Sequence, residues 1–203
     1  MAETTAKRQN RVIAVLFFGS SNIGKSVTGE RLAKRLFWEY EDIDERLRTD
    51  YHIRPAVFIR NYSRPQRDEI RTKLVRERIE QARKEQKPVV IAVPPITYMH
   101  GMDEILKADD VFAADLIDRE ENIFDRLVFT DDDDRPLPDA DAYKMKHRTC
   151  YMHEIREDQK FFHEIYEEVM PTLDMDGRSP EQVVDCFLTL FGEQIGVEDT
   201  GKQ

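Results

Sequence analysis

Gly19-Ser20-Ser21-Asn22-Ile23-Gly24-Lys25-Ser26 constrains this chain more than any other stretch. It follows an apolar run over residues 12–18 and opens a segment in which Val27, Leu32, Ala33 and Leu36 recur at helical spacing. Strand, glycine-bounded loop ending in Gly-Lys-Ser, then helix is the P-loop pattern in the context that gives it meaning. Successive backbone N–H groups and the positive end of the following helix form a cradle for phosphate oxygens. Gly19 and Gly24 let the backbone curl where a Cβ would clash. Lys25 is placed to lie along the β- and γ-phosphates, and the Ser26 hydroxyl to ligate Mg²⁺. Residues 19–26, with Val27 opening the helix, are therefore the expected nucleotide-binding segment. The loop by itself specifies phosphate binding and leaves the fate of the phosphate open.

Composition narrows the setting. At 203 residues, with 40% apolar content, the chain fits one domain with a sizeable core. No apolar run approaches the ~20 residues that a membrane span needs, so no membrane partner is expected. Residues 1–10 are polar without an apolar signal core, and Cys150 and Cys186 stand far apart. Both features favour a reducing cytoplasm over secretion. A net charge of −10 argues against a nucleic-acid partner. The expected partner is a small molecule, and the expected state a monomer.

Along the chain, strands are expected over about residues 12–18, 38–43, 89–93, 111–116 and 172–175. Helices are expected over 24–36, in a Pro55-interrupted region up to 60, after Pro65, over 119–128 and over 142–169. A final helix starts with Ser179 as N-cap, Pro180 and Gln182. The charge run with Arg76-Glu77-Arg78 and Arg83-Lys84-Glu85 reads as a solvated face of the helix after Pro65. Alternation of strand and helix predicts α/β: a three-layer α/β/α sandwich around a five-stranded parallel sheet. Residues 11–192 form a single domain, 129–142 a mobile lid with an acidic tip at Asp131 to Asp134, and 1–10 and 194–203 flexible tails. In such sheets ligands bind beyond the carboxyl ends of the strands. The P-loop, Asp42 and Asp44, Pro94-Pro95 and the region after Leu116 lie there. The five histidines show no metal-ligand spacing with the cysteines.

These residues resemble the shikimate kinase family of P-loop small-molecule kinases over about residues 11–192. The resemblance rests on the Asp-x-Asp pair Asp42-Ile43-Asp44 behind the P-loop, on Arg135-Pro136-Leu137 in the lid, and on Asn122-Ile123-Phe124-Asp125-Arg126 before it. It implies an ATP- and Mg²⁺-dependent transfer of the γ-phosphate to the 3-hydroxyl of shikimate. Lys25 and Arg135 then stabilise the migrating phosphoryl group, Ser26 and Asp42 serve the metal, and Asp44 orients the acceptor hydroxyl. Arg126 stacks on adenine. Arg67 is the best match to the family's substrate-binding arginine, with Arg64 and Arg71 as competitors. Arg148 and Arg156 share the role of the arginine that meets the substrate carboxylate from the long C-terminal helix. Two departures stand out. Pro94-Pro95 replaces a run of glycines, and proline has no N–H to donate. Phe162 to Tyr166 has the family's arginine-to-tyrosine spacing without the arginine. A kinase of another small hydroxy-acid or nucleotide, and a non-catalytic ATP-binding module, remain alternatives.

Overall fold

The computed structural model describes residues 12–129, 135 and 137–197. Its sheet has five parallel strands in the order β2-β3-β1-β4-β5. These are β1 (Ala14–Phe18), β2 (Glu39–Asp42), β3 (Val89–Ala92), β4 (Val111–Ile117) and β5 (Thr172–Asp174). Every residue of β1 and β3 is buried, as expected for strands covered on both faces, where apolar side chains need no alternation. The expected α/β sandwich with a five-stranded parallel sheet is what the chain forms.

The helices are α1 (Lys25–Leu36), α2 (Ile43–Asp50), α3 (Pro55–Asn61), α4 (Arg64–Glu85), α5 (Asp103–Leu106), α6 (Glu120–Arg126), α7 (Ala140–Lys146), α8 (Arg148–Tyr166) and α9 (Pro180–Phe191). One face of the sheet presents Val15, Phe17, Val90, Ala114 and Leu116 to Leu32 and Ala33 of α1 and to Val183, Val184 and Phe187 of α9. The other presents Ala14, Leu16, Phe18, Val89 and Ile91 to Leu74, Val75 and Ile79 of α4. Helix α8 serves both layers. Met152 and Ile155 of its first half enter the first core, Phe162 and Tyr166 of its second half the other.

Three expectations change. The long helix expected over 142–169 is two helices, broken at His147 (φ −105°, ψ 14°). Residues 194–197, expected to open a flexible tail, pack instead: Ile195 is fully buried in the first core and Val197 packs against it. Residues 1–10 and 198–203, also expected to be tails, lie outside the described residues. Finally, the charge run of α4 is not uniformly solvated. Arg78 is buried and pairs with Glu39 and Glu41 of β2 (2.9 Å from Arg78 Nε to Glu41). Arg71 and Asp68 of the same helix are buried as well.

Candidate active site

The P-loop takes the backbone that its sequence requires. Gly19 has φ 131° and a Cβ there would lie 2.6 Å from the Leu116 carbonyl oxygen. Gly24, the N-cap of α1, has φ 106° with Met175 Cε 3.2 Å from a notional Cβ. Both positions demand glycine for conformation and space. Ile23 anchors the loop in the first core, Ser20 is buried with its hydroxyl unpartnered, and Val27 is half exposed on the first turn of α1.

Lys25 is buried, and its Nζ donates to the carbonyls of Gly19 (3.0 Å) and Ser20 (2.7 Å). Burial pushes its ammonium down to about 8, opposed by the nearby charges of Asp44 and Asp42. A lysine capped only by neutral carbonyls, beside an unpartnered Ser20 hydroxyl, suits a polyanion entering the loop. Across from it, the Ser26 hydroxyl donates to Asp42 Oδ2 at 2.5 Å. Asp42 Oδ1 accepts from the backbone N–H groups of Asp44 (2.9 Å) and Glu45 (3.2 Å), capping α2. One carboxylate thus caps a helix and faces the serine. An oxygen pair of this kind fits a hard cation that keeps several waters. Among the described residues, no group of three or more His, Cys, Asp or Glu is arranged to hold a metal ion.

Ser21, Asn22, Lys25, Ser26, Asp42, Asp44, Ala92, Pro94 and Pro95 enclose a cavity of about 290 Å³. A second cavity of about 250 Å³ lies beyond Asp44, with Arg64, Arg67, Arg71, Asp68 and Phe162 in its walls. Ser21, Asp44 and Pro95 line both. Asp44 sits in the seam, where Arg71 Nη2 donates to its Oδ1 at 3.1 Å. Arg71 Nη1 donates to the Pro95 carbonyl, also at 3.1 Å. The two prolines therefore offer a carbonyl that holds a guanidinium, in place of backbone amides facing a ligand.

The amides that follow are also spoken for. Ile96 N donates to Tyr166 Oη (2.9 Å), which in turn donates to the Ile96 carbonyl (2.8 Å). Thr97 N, Thr97 Oγ1 and Tyr98 N all donate to Asp68 Oδ2, at 2.9, 2.7 and 3.0 Å. The segment after β3 is clamped from α4 and α8 by these two buried side chains.

Of the expected substrate arginines, Arg67 lines the second cavity together with its competitors Arg64 and Arg71. Arg148 and Arg156 do not. Arg148 lies over the Phe124 ring (5.4 Å to its centroid), and Arg156 makes a bidentate pair with Glu120 (2.6 and 2.7 Å). Both meet α6: Arg156 lies on the face of α8 opposite Asp158, and Arg148 lies on the first turn of the helix, well before the part that reaches the cavity. Asp158 and Phe162 occupy the face that meets the cavity. Arg126 lies beside the region that β5 and α9 form. Its Nη2 donates at 2.6 Å to Asp118, whose side chain is fully buried. Asp118 also accepts from Arg119 N (2.8 Å), Asn122 Nδ2 (2.7 Å) and Gly177 N (2.9 Å). These bonds, working against burial, hold its carboxyl below the usual range. Arg135 is exposed; residues 130–134 and 136 of the expected lid, including the acidic tip, lie outside the described residues.

Sequence reasoning missed Asp118, Asp68, Asp158 and Tyr166. Asp118 alone carried a signal, an aspartate directly after an apolar strand at the sheet's carboxyl edge. The other three lie on helices whose facing only the packing decides.

No protein-family model matches the chain, and no curated protein does. Solved structures do. Shikimate kinase from Bacteroides thetaiotaomicron is 16% identical with a TM-score of 0.68, over 89% of this chain and 98% of that one. Shikimate kinase from Acinetobacter baumannii, in complex with shikimate, is 19% identical with a TM-score of 0.62, over 91% and 95%. A sugar kinase from Janibacter sp. HTCC2649 is 17% identical with a TM-score of 0.60, over 91% and 97%. With its five parallel strands and flanking helices, the chain has the P-loop kinase fold that the shikimate kinases share.

Proposed function

We propose that this protein is an ATP- and Mg²⁺-dependent kinase of a small hydroxy-acid, with shikimate as the first acceptor to test. The observation that carries this reading is the seam. A P-loop cavity and an arginine-walled cavity meet at Asp44, where an acceptor hydroxyl and a transferable phosphoryl group would face each other. ATP with Mg²⁺ would supply the phosphoryl group and neutralise its charge. The amides of residues 19–26 would cradle its phosphates, with Ser26 and Asp42 toward the metal and Arg126 toward the base. Lys25 would turn from the Gly19 and Ser20 carbonyls to the phosphate oxygens. Asp44, oriented by Arg71, would hold the acceptor hydroxyl and take its proton. Arg67 would pair with the acceptor's anionic group. Lid residue Arg135 would complete the charge balance around the migrating group. Catalysis of this kind is mostly positioning and charge stabilisation, which these residue types provide.

One observation favours a second acceptor class, sugar acids of the gluconate type. Asp158 and Phe162, and no arginine, face the acceptor cavity from α8, and the carboxylate can accept from the hydroxyls that a sugar acid carries. A coupled ADP-release assay with shikimate, gluconate and nucleoside monophosphates separates the readings. Stimulation by shikimate or gluconate, abolished in Lys25→Ala and lowered about 10²-fold or more in Asp44→Asn, is the expected result. Stimulation by a nucleotide alone overturns the hydroxy-acid reading. ATP binding without turnover of any acceptor would favour a regulatory module.

A further inference from the structure

The acceptor cavity differs from a carboxylate clamp built by arginines on two helices. Helix α4 contributes Arg64 and Arg67, three positions apart and therefore on one face. Arg67 Nε is buried without a hydrogen-bond partner, and no ion pair from the described residues reaches that guanidinium. Arg64 rests on the Phe161 ring, 5.7 Å from its centroid. Opposite them, α8 contributes a carboxylate, Asp158, which accepts no hydrogen bond from the described residues. Arg64 and Asp158 line the same cavity; burial pushes the Asp158 carboxyl up, the Arg64 charge pulls it back and the Glu154 charge pushes it up again. The other acidic groups of the cavity are engaged: Asp44 by Arg71, Asp68 by Thr97 and Tyr98. The amides of residues 96–98 are likewise consumed within the protein. Recognition at this end therefore falls to Arg64, Arg67 and Asp158. Two cations beside one carboxylate suit a ligand with an anion and a hydrogen-bond donor close together. A bare carboxylate would meet Asp158 as a like charge.

We propose that the acceptor carries a hydroxyl or ammonium on the carbon next to its anionic group, and that Asp158 is the residue that selects for it. The proposal rests on the kinase reading above and names the substrate class of the same site. Three probes test it. D-gluconate and L-homoserine have such a donor beside the carboxylate; shikimate has none there. With ATP and Mg²⁺, the expected result is a kcat/KM for gluconate or homoserine that exceeds that for shikimate by about tenfold or more. Asp158→Asn, isosteric and checked for an unchanged Tm, shifts that ratio toward shikimate by about tenfold or more, and Asp158→Ala does the same. Saturation-transfer NMR with the three compounds, in the presence of ADP and Mg²⁺, reads binding apart from chemistry. Donor-dependent binding that Asp158→Asn abolishes, without turnover, sustains the proposal and sinks the kinase reading. Turnover whose acceptor ratio is the same in wild type and both variants sinks the proposal and leaves the kinase reading standing. Preference of the wild type for shikimate, or binding of none of the three, overturns it.

Discussion

Phe37, the C-cap of α1, is 96% exposed and has φ 55°. A left-handed backbone costs a residue with a Cβ ~1–2 kcal/mol, and here no packing offsets it. Glycine at this position removes that strain but adds freedom to the unfolded chain. Phe37→Gly is therefore expected to stabilise the fold by about 1 kcal/mol, raising Tm by about 2–4 °C in a thermal melt. The sign differs at Lys25. Its folded-state pKa of about 8 lies below the ordinary 10.5, so between those values the unfolded chain binds a proton that the folded one has released. Stability of the ligand-free protein should rise with pH across that window and lose this rise in Lys25→Met, as read by denaturant titrations at several pH values. Over the same window ATP affinity should fall, because the neutral amine no longer attracts phosphate. The role of Lys25 was legible in its Gly-Lys-Ser context. Its resting bonds to Gly19 and Ser20 were not, since they depend on how the loop curls.

At the scale of elements, two clamps join segments far apart in sequence. Asp118 ties the end of β4 to α6 through Arg126 and to the turn before α9 through Gly177. Asp118→Ala removes an acceptor from four donors. With Arg126 one-third exposed and partly rescued by water, the expected cost is about 2–4 kcal/mol in chemical denaturation. Because bonding depresses this carboxyl, its contribution is present above the ordinary carboxylate pKa and is lost as the protein is acidified through the lower folded value. Tyr166 is the second clamp. Tyr166→Phe leaves the Ile96 N–H buried without its partner, at about 1–3 kcal/mol, and should speed hydrogen exchange of Ile96 above that of neighbouring β3. Strand and helix identities were readable because β1 and β3 are continuous apolar runs and α9 opens with a capping box. The helical period was less informative for α4 and α8. Helix α4 buries Asp68, Arg71 and Arg78 against partners from other elements, so a charge on its face does not mean solvent. Helix α8 turns Arg148 and Arg156 toward α6 and Asp158 toward the cavity, a rotation that spacing alone leaves undetermined. The break at His147 carries no proline or glycine to announce it.

For the whole molecule, the sheet order places β2 and β5 at the edges. The β2 edge carries Glu39 and Glu41, paired with Arg78 and Arg46, and a charged rim of this kind discourages strand-to-strand association between copies. The centre of the sheet has the opposite character. Strand β1 is Ala-Val-Leu-Phe-Phe, and its two neighbours come from far along the chain: Ala14 pairs in register with Val89 on one side and Val111 on the other. During synthesis at ~5–20 residues per second, β1 therefore waits roughly 5–20 s, about one hundred residues, before its second neighbour exists. Until then β1 can pair on one side only, with β3, and the turn built on Gly19 lacks the Leu116 carbonyl it nests against. A nascent chain halted before residue 111 should engage holding chaperones, and one released past 175 should not. The strand that seats the phosphate loop is thus the first made and the one that waits longest for its neighbours.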